Sequence, residues 1–301
     1  MENLSCYGLD VGYHYTKDSQ RNIFQSAYTT KKQYAKEPIF IDGTEYYVGK
    51  GNMSGVVDKT QSELNKACTI YALLKTSRIQ NVDLTVGLPI GQYENQKEKL
   101  RQSILDYNNS DIEINNKRIN LSISNVNVIP QGIAAIYTLK ELPYGRIIIV
   151  DIGGLTVCIT SLRISENGEI DIEDSDTYYC GIRLFLDDVI KVTNEKYNLM
   201  LDNSFAEDII AEGLEINGVK QDTLYIKSMQ KEYINNIINK ICLKYRTDII
   251  PTMVCGGGAI NLGEILKRRI PNLFITPDPQ FANAFGYHAY GCIKYNQRRT
   301  K

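Results

Sequence analysis

The sequence predicts an α/β fold in which one βββαβα unit occurs twice and builds two domains that face each other across a cleft. Three observations carry this expectation. At 301 residues the chain is too long for one ordinary core and too short for three, so two domains of similar size are expected. Strand and helix candidates follow the same order in both halves: three strands, a helix, a strand and a helix. The first strand of each half ends on the same signature, Leu9-Asp10-Val11-Gly12 and Val150-Asp151-Ile152-Gly153.

Each element has a local reason. Leu4 to Val11 is an apolar strand that stops at Gly12, and a second strand runs through Arg21 to Tyr28. Ile39 to Ile41 and Tyr46 to Val48 form a hairpin across Asp42-Gly43, a pair suited to a tight turn. Ser62 caps a helix running to about Ile79, with Leu64, Ala67, Cys68, Tyr71 and Leu74 on one face. Val82 to Leu88 is a buried strand closed by Pro89, followed by a charged surface helix from Tyr93 to Tyr107. A polar hairpin around Asn115-Asn116 leads to the strand Val126 to Ile129, and after Pro130 a helix is expected from Gln131 to about Leu139.

The pattern then restarts. Ile147 to Asp151, Thr156 to Leu162 and Ile170 to Thr177 read as strands, the last two joined by the turn Asn167-Gly168, and Ile182 to Tyr197 reads as a helix. A helix near Phe205 to Ala211 and a turn at Asn217-Gly218 precede the long amphipathic helix Thr223 to Tyr245. Strand Ile249 to Cys255, the glycines Gly256 to Gly258, helix Ala259 to Arg269, strand Leu273 to Ile275 and a helix from about Gln280 to Ile293 complete the order. The expected division is residues 1–143 plus 279–301 as domain I, with a small insert at about 31–62, and 144–278 as domain II.

Composition narrows the function. With 43% hydrophobic and 23% charged residues the chain is globular, and a net charge of -1 gives no general attraction to nucleic acid. Seven scattered cysteines without a C-x-x-C pair point to reduced, mostly buried thiols in a cytoplasmic protein, and two histidines leave little for a zinc site. The N-terminus lacks the regions of a signal peptide and no apolar run approaches spanning length, so a soluble protein away from membranes is expected.

The chemistry concentrates where strands break at glycine. Asp151 stands at the mouth of a turn containing Gly153 and Gly154, between two apolar runs. Glycines there let the backbone approach a ligand, so a row of main-chain N–H groups can face an anion. A carboxylate beside that row suggests a phosphate carried with a cation.

Taken in order, these motifs resemble the actin-fold ATPases, and among them the bacterial plasmid-partitioning actins of the ParM/StbA type, over nearly the whole chain. The first phosphate motif is Asp10-x-Gly12-x-x-x-x-Lys17, the second Asp151-Ile-Gly153-Gly154-x-Thr156, and the adenosine motif Cys255-Gly256-Gly257-Gly258-Ala259. Pro130-Gln131 resembles the connecting segment that presents a water-orienting side chain. Three positions depart from common patterns. Tyr13 replaces the small hydroxyl residue of eukaryotic actins, His14 stands where glycine is usual, and Cys158 where many partitioning actins carry aspartate.

The resemblance implies a site as well as a fold. Gly12, Tyr13, Lys17, Gly153, Gly154, Thr156, Gly181, Gly256, Gly257, Gly258 and Ala259 would contact ATP, or GTP. Asp10 and Asp151 would hold Mg²⁺ through its retained waters, and Gln131 would orient the attacking water. The implied activity is ATP hydrolysis coupled to head-to-tail filament assembly, with the filament moving plasmid DNA through an adaptor protein bound at a centromere-like site. Direct DNA contact is not expected. Two alternatives on the same fold are a small-molecule kinase, which needs a carboxylate base beside its acceptor, and a cytoskeletal scaffold actin.

Overall fold

The computed structural model describes residues 5–33, 36–53, 58–60, 62–76 and 80–299. One sheet contains β1 (Ser5–Val11), β2 (Tyr15–Asp18), β3 (Ile23–Gln25), β4 (Val82–Leu88) and β5 (Ile123–Pro130) in the order β5-β4-β1-β2-β3. The other contains β6 (Gly145–Ile152), β7 (Val157–Ile164), β8 (Ile170–Tyr178), β9 (Thr252–Cys255) and β10 (Leu273–Ile275) in the order β8-β7-β6-β9-β10. These are one topology. In each sheet the first strand is central, antiparallel to the second and parallel to the fourth. The central strands β1 and β6 therefore end at matching places, and so do their signatures.

The helices are α1 (Glu63–Lys75), α2 (Ile90–Asp106), α3 (Ile182–Tyr197), α4 (Ala206–Glu212), α5 (Leu224–Lys244), α6 (Gly258–Arg269) and α7 (Ala282–Arg299). Leu64, Ala67, Cys68, Ile70 and Leu73 of α1 are buried against the first sheet, and the Ser62 side chain accepts a bond from the Asn65 amide. Tyr71 and Leu74 are partly buried against the same core; the helix ends at Lys75, and residues 77–79, to which a longer helix would run, lie outside the described residues. In the second domain Val150, Ile152, Val157 and Ile159 pack with Phe185, Val189, Ile237 and Ile241 from α3 and α5.

Two expected elements differ. The second strand proposed for Arg21 to Tyr28 is two short strands, β3 and Ala27–Thr29, while β2, which carries Lys17, forms in a stretch that reads as loop. No helix starts at Gln131. That residue follows the end of β5, Gly132 adopts φ 77°, and a 3-10 helix spans Ile133–Thr138. The two hairpins of the first half also join edge to edge, with Ile39 opposite Ile114 and Ile41 opposite Ile112.

Helix α7 returns to the first domain and packs on β1, β4 and the 3-10 helix. Gly8 of β1 makes this possible, because a Cβ there would fall on the carbonyl oxygen of Ala284 and the amide of His288. That overlap is backbone on backbone, so no rotamer change relieves it. Gly8→Ala is expected to destabilise the protein by about 3 kcal/mol or more, read as a lowered midpoint in urea denaturation; an unchanged midpoint would contradict this seating of α7.

Candidate functional site

The two signatures meet. Each ends in a four-residue turn closed by the same bond, Gly12 N–H to the Tyr15 carbonyl at 3.2 Å and Gly153 N–H to the Thr156 carbonyl at 2.9 Å. Both turns face a cavity of about 590 Å³. Its lining includes Asp10, Gly12, Tyr13, His14, Lys17, Gln131, Asp151, Gly153, Gly154 and Thr156. It also includes the apolar Phe185, Leu186, Ile210 and Ile260, with Glu207, Gln230 and Asn261 supplying further polar atoms.

The second turn is aimed by α3. The amides of Gly181, Ile182 and Arg183 donate to the carbonyls of Leu155, Gly153 and Gly154 at 2.9, 3.0 and 2.8 Å. In a trans peptide the C=O and the next N–H point in opposite directions. With those carbonyls turned to the helix, the amides of Gly154, Leu155 and Thr156 turn away from it, toward the cleft. Among the described residues, no acceptor meets the amides of His14, Gly154 or Leu155. Such donors suit an anion.

The carboxylates are buried and bonded. Asp10 lies opposite Lys17 in the β1–β2 register, with Lys17 Nζ 2.8 Å from one oxygen and Gln131 Nε2 donating to the other at 3.1 Å. In the duplicate register Asp151 lies opposite Cys158, so this carboxylate has no lysine of its own. Asn283 Nδ2 of α7 donates to Asp151 at 2.8 Å, while Asn283 Oδ1 accepts the Gly132 amide at 2.9 Å. Burial first, and then the Asp10 charge, hold the Asp151 carboxyl above the usual carboxylate range, against the opposing bond from Asn283. Burial and the nearby Asp151 push the Cys158 thiol up to about 11, which keeps it protonated.

The turns also touch each other. A Cβ on Gly154 would lie 2.6 Å from the Cβ of His14, so glycine at this place permits the contact. His14 is pushed down to about 4, chiefly by burial and then by Arg183 and Lys17, and is neutral at pH 7. Arg183 Nη1 reaches across from α3 to the Tyr13 carbonyl at 3.1 Å. Gly256, at φ 88°, brings the β9–α6 connection against Asp151, whose carboxylate would meet any added Cβ.

The expected site residues thus separate into two groups. Asp10, Gly12, Tyr13, Lys17, Gln131, Asp151, Gly153, Gly154, Thr156, Gly256 and Gly257 line the cavity. Gly181, Gly258 and Ala259 lie behind its wall: Gly181 packs on the back of the second turn, Gly258 against Ile152, and Ala259 is buried. Asn283, Arg183 and the lining residues Glu207, Gln230 and Asn261 carry no motif. Of these only Arg183 had a sequence cue, its place in the first turn of the helix that follows the double-glycine hairpin.

Two family models match the chain, actin-like proteins N-terminal domain over residues 8–133 and archaeal actin homologue MreB-like, C-terminal, over residues 149–268. The chain is an actin-like protein. Solved structures share the fold over nearly the whole chain. A 15-stranded ParM filament from Clostridium botulinum is 22% identical, covering 97% of this actin-like chain and 99% of that one, with TM-score 0.79. The archaeal actin homologue Ta0583 in complex with ADP is 22% identical over 96% of this chain and 99% of that one, TM-score 0.78. The Alp12 filament structure is 19% identical over 96% and 98%, TM-score 0.65. No curated protein matches the sequence. Among the described residues of this actin-like protein, no helix is long and apolar enough to cross a membrane.

Proposed function

We propose that this actin-like protein is a filament-forming ATPase whose cleft binds ATP, or GTP, with Mg²⁺. The observation that carries the reading is the convergence of two duplicated turns and two buried carboxylates on one cavity. The amides of the turns would hold the terminal phosphates, and the apolar lining at Phe185 and Ile260 would receive a base. Phe185 is held there by stacking on Tyr233, centroids 5.0 Å apart, and Tyr233 is tied by its hydroxyl to the Cys180 carbonyl at 2.8 Å.

The donor set fits a hydrated magnesium ion. Asp10 and Asp151 are both acidic and inward, Asp151 lacks a cationic partner of its own, and no group of three or more metal-binding side chains occurs among the described residues. Mg²⁺ keeps most of its waters and uses one or two carboxylates, which is what this site offers. When bound, the ion would offset the charge of the phosphates. Gln131 is too weak a base to take a proton; its amide orients a water, and Asp10 holds that amide in place.

In this reading, residues 1–143 and 279–301 form domain I and 144–278 domain II, supported by the packing of α7 on β1 and β4. Closure on nucleotide would bring the turns together, and subunits would join head to tail, a heterologous contact that makes open filaments. The net charge of -1 suits a cytoplasmic filament that reaches plasmid DNA through an adaptor protein at a centromere-like site. Light scattering should rise when ATP and Mg²⁺ are added and fall as ATP is consumed. A flat trace across a wide range of protein concentration would remove the filament from this reading.

A further inference from the structure

The two turns are held by different means. Neutral helix amides grip the carbonyls of the second turn, whereas cations grip the first: Arg183 at the Tyr13 carbonyl, and Lys59 Nζ at the Val11 carbonyl, 2.7 Å away. Lys59 lies in the small insert at about 31–62, after its hairpin, and is buried at 6% exposure. No carboxylate lies within ion-pair distance of it among the described residues, while Lys17 is already paired with Asp10. The ammonium stands 5.0 Å from the centre of the Tyr13 ring, which shields one side of it.

One neutral hydrogen bond does not offset the burial of an ammonium, so stability alone does not account for this lysine. Burial pushes it down to about 8, against the favourable fields of Asp10 and Asp151. The Val11 carbonyl that it holds belongs to the same peptide as the Gly12 amide, the donor that closes the first turn. A cation on that carbonyl polarises the peptide, strengthens the Gly12 bond and fixes the direction of the amides that follow.

We infer that Lys59 is a positioning residue for phosphate: it ties the insert to the first turn, aims that turn's amides into the cleft, and lends the cleft a positive charge that no carboxylate pairs directly. The inference rests on the nucleotide reading above and adds to it a residue outside the phosphate motifs. A polyphosphate should feel this charge and an uncharged nucleoside should not.

The test compares ATP, ADP and adenosine binding by the full chain, by calorimetry with Mg²⁺ present, in wild type, Lys59→Met, Lys59→Gln and Lys59→Arg. Lys59→Met should weaken ATP and ADP binding about 10-fold or more and change adenosine affinity less than about 2-fold, with Lys59→Arg recovering most of the loss. Lys59→Gln keeps a donor without the charge and should resemble Met; it also carries the comparison should Met fail to fold. Equal losses for ATP and adenosine, or ATP affinity within about 2-fold of wild type in the neutral variants, would overturn the inference while leaving the nucleotide site standing. Absence of both ATP and GTP binding by the wild type would overturn the nucleotide reading and this inference together.

Discussion

Asp151→Asn is expected to lower the rate of phosphate release by about 10²- to 10³-fold and, at the same time, to raise the melting temperature. The two effects share one cause. Burial and the Asp10 charge keep the Asp151 carboxyl above its ordinary range, so the folded protein favours the protonated form. A group raised in this way contributes stability below its unfolded value and loses it as pH rises through the folded one. Once ionised, Asp151 therefore costs the fold stability relative to its protonated form, a charge that a cation and phosphates would use. Asparagine keeps the shape without the charge. Its amide oxygen can take the place of the carboxylate oxygen that accepts from Asn283 Nδ2 at 2.8 Å, so that bond persists. The measurement is a pair: single-turnover phosphate release and thermal melting of the nucleotide-free protein. A variant that loses turnover and also melts lower would mean that the negative charge supports the fold, contrary to its surroundings.

The same carboxylate marks how far the sequence could be read. Asp151 and Asp10 are visible because each ends a continuous apolar run and precedes glycine, a pattern set by burial on both faces of a central strand and by the turn beyond it. Val82–Leu88, Ile182–Tyr197 and Leu273–Ile275 have their expected bounds for similar reasons: a buried strand, an amphipathic helix after glycine, and a short apolar run. The strand Tyr15–Asp18 escaped because its alternation is masked by polar residues that are themselves buried; Thr16, Lys17 and Asp18 pair with β1 and bond inside the domain. Asp18, for example, accepts from the Tyr7 hydroxyl at 2.6 Å.

The residues that tie the cleft together were largely beyond local reading, Arg183 offering only its place in the first turn of the helix after the double-glycine hairpin. Asn283, Arg183 and Lys59 act on groups 132, 170 and 48 positions away in sequence, through side-chain contacts that leave no periodicity. The joining of the two hairpins through Ile39 and Ile114 is likewise a tertiary pairing between segments that each look complete alone. Gln131 is an intermediate case. Pro130 correctly marked a change of direction, but the positive φ of Gly132 and the bond from its amide to Asn283 replace the helical start with a sharp turn. That turn presents the Gln131 side chain to Asp10, where a helical start would have given it a different direction.

This placement gives the second large effect. Gln131→Ala is expected to slow nucleotide hydrolysis by about 10²-fold while leaving assembly intact, so that filaments formed with ATP outlast those of the wild type. Gln131 is anchored at its backbone, the amide donating to the Leu88 carbonyl at 2.8 Å, and at its side chain by the bond to Asp10 at 3.1 Å. Truncation to alanine leaves the first anchor and the strand end unchanged. What is lost is a polar group at the mouth of the two turns, and with it the orientation of the attacking water. Asp10 keeps its ion pair with Lys17, so the carboxylate is not left without a partner and the fold should be little affected. Scattering traces should rise as in the wild type and then decay far more slowly, in step with slower phosphate release. Loss of the rise itself would move Gln131 from hydrolysis to assembly, and an unchanged rate of phosphate release would remove it from the reaction.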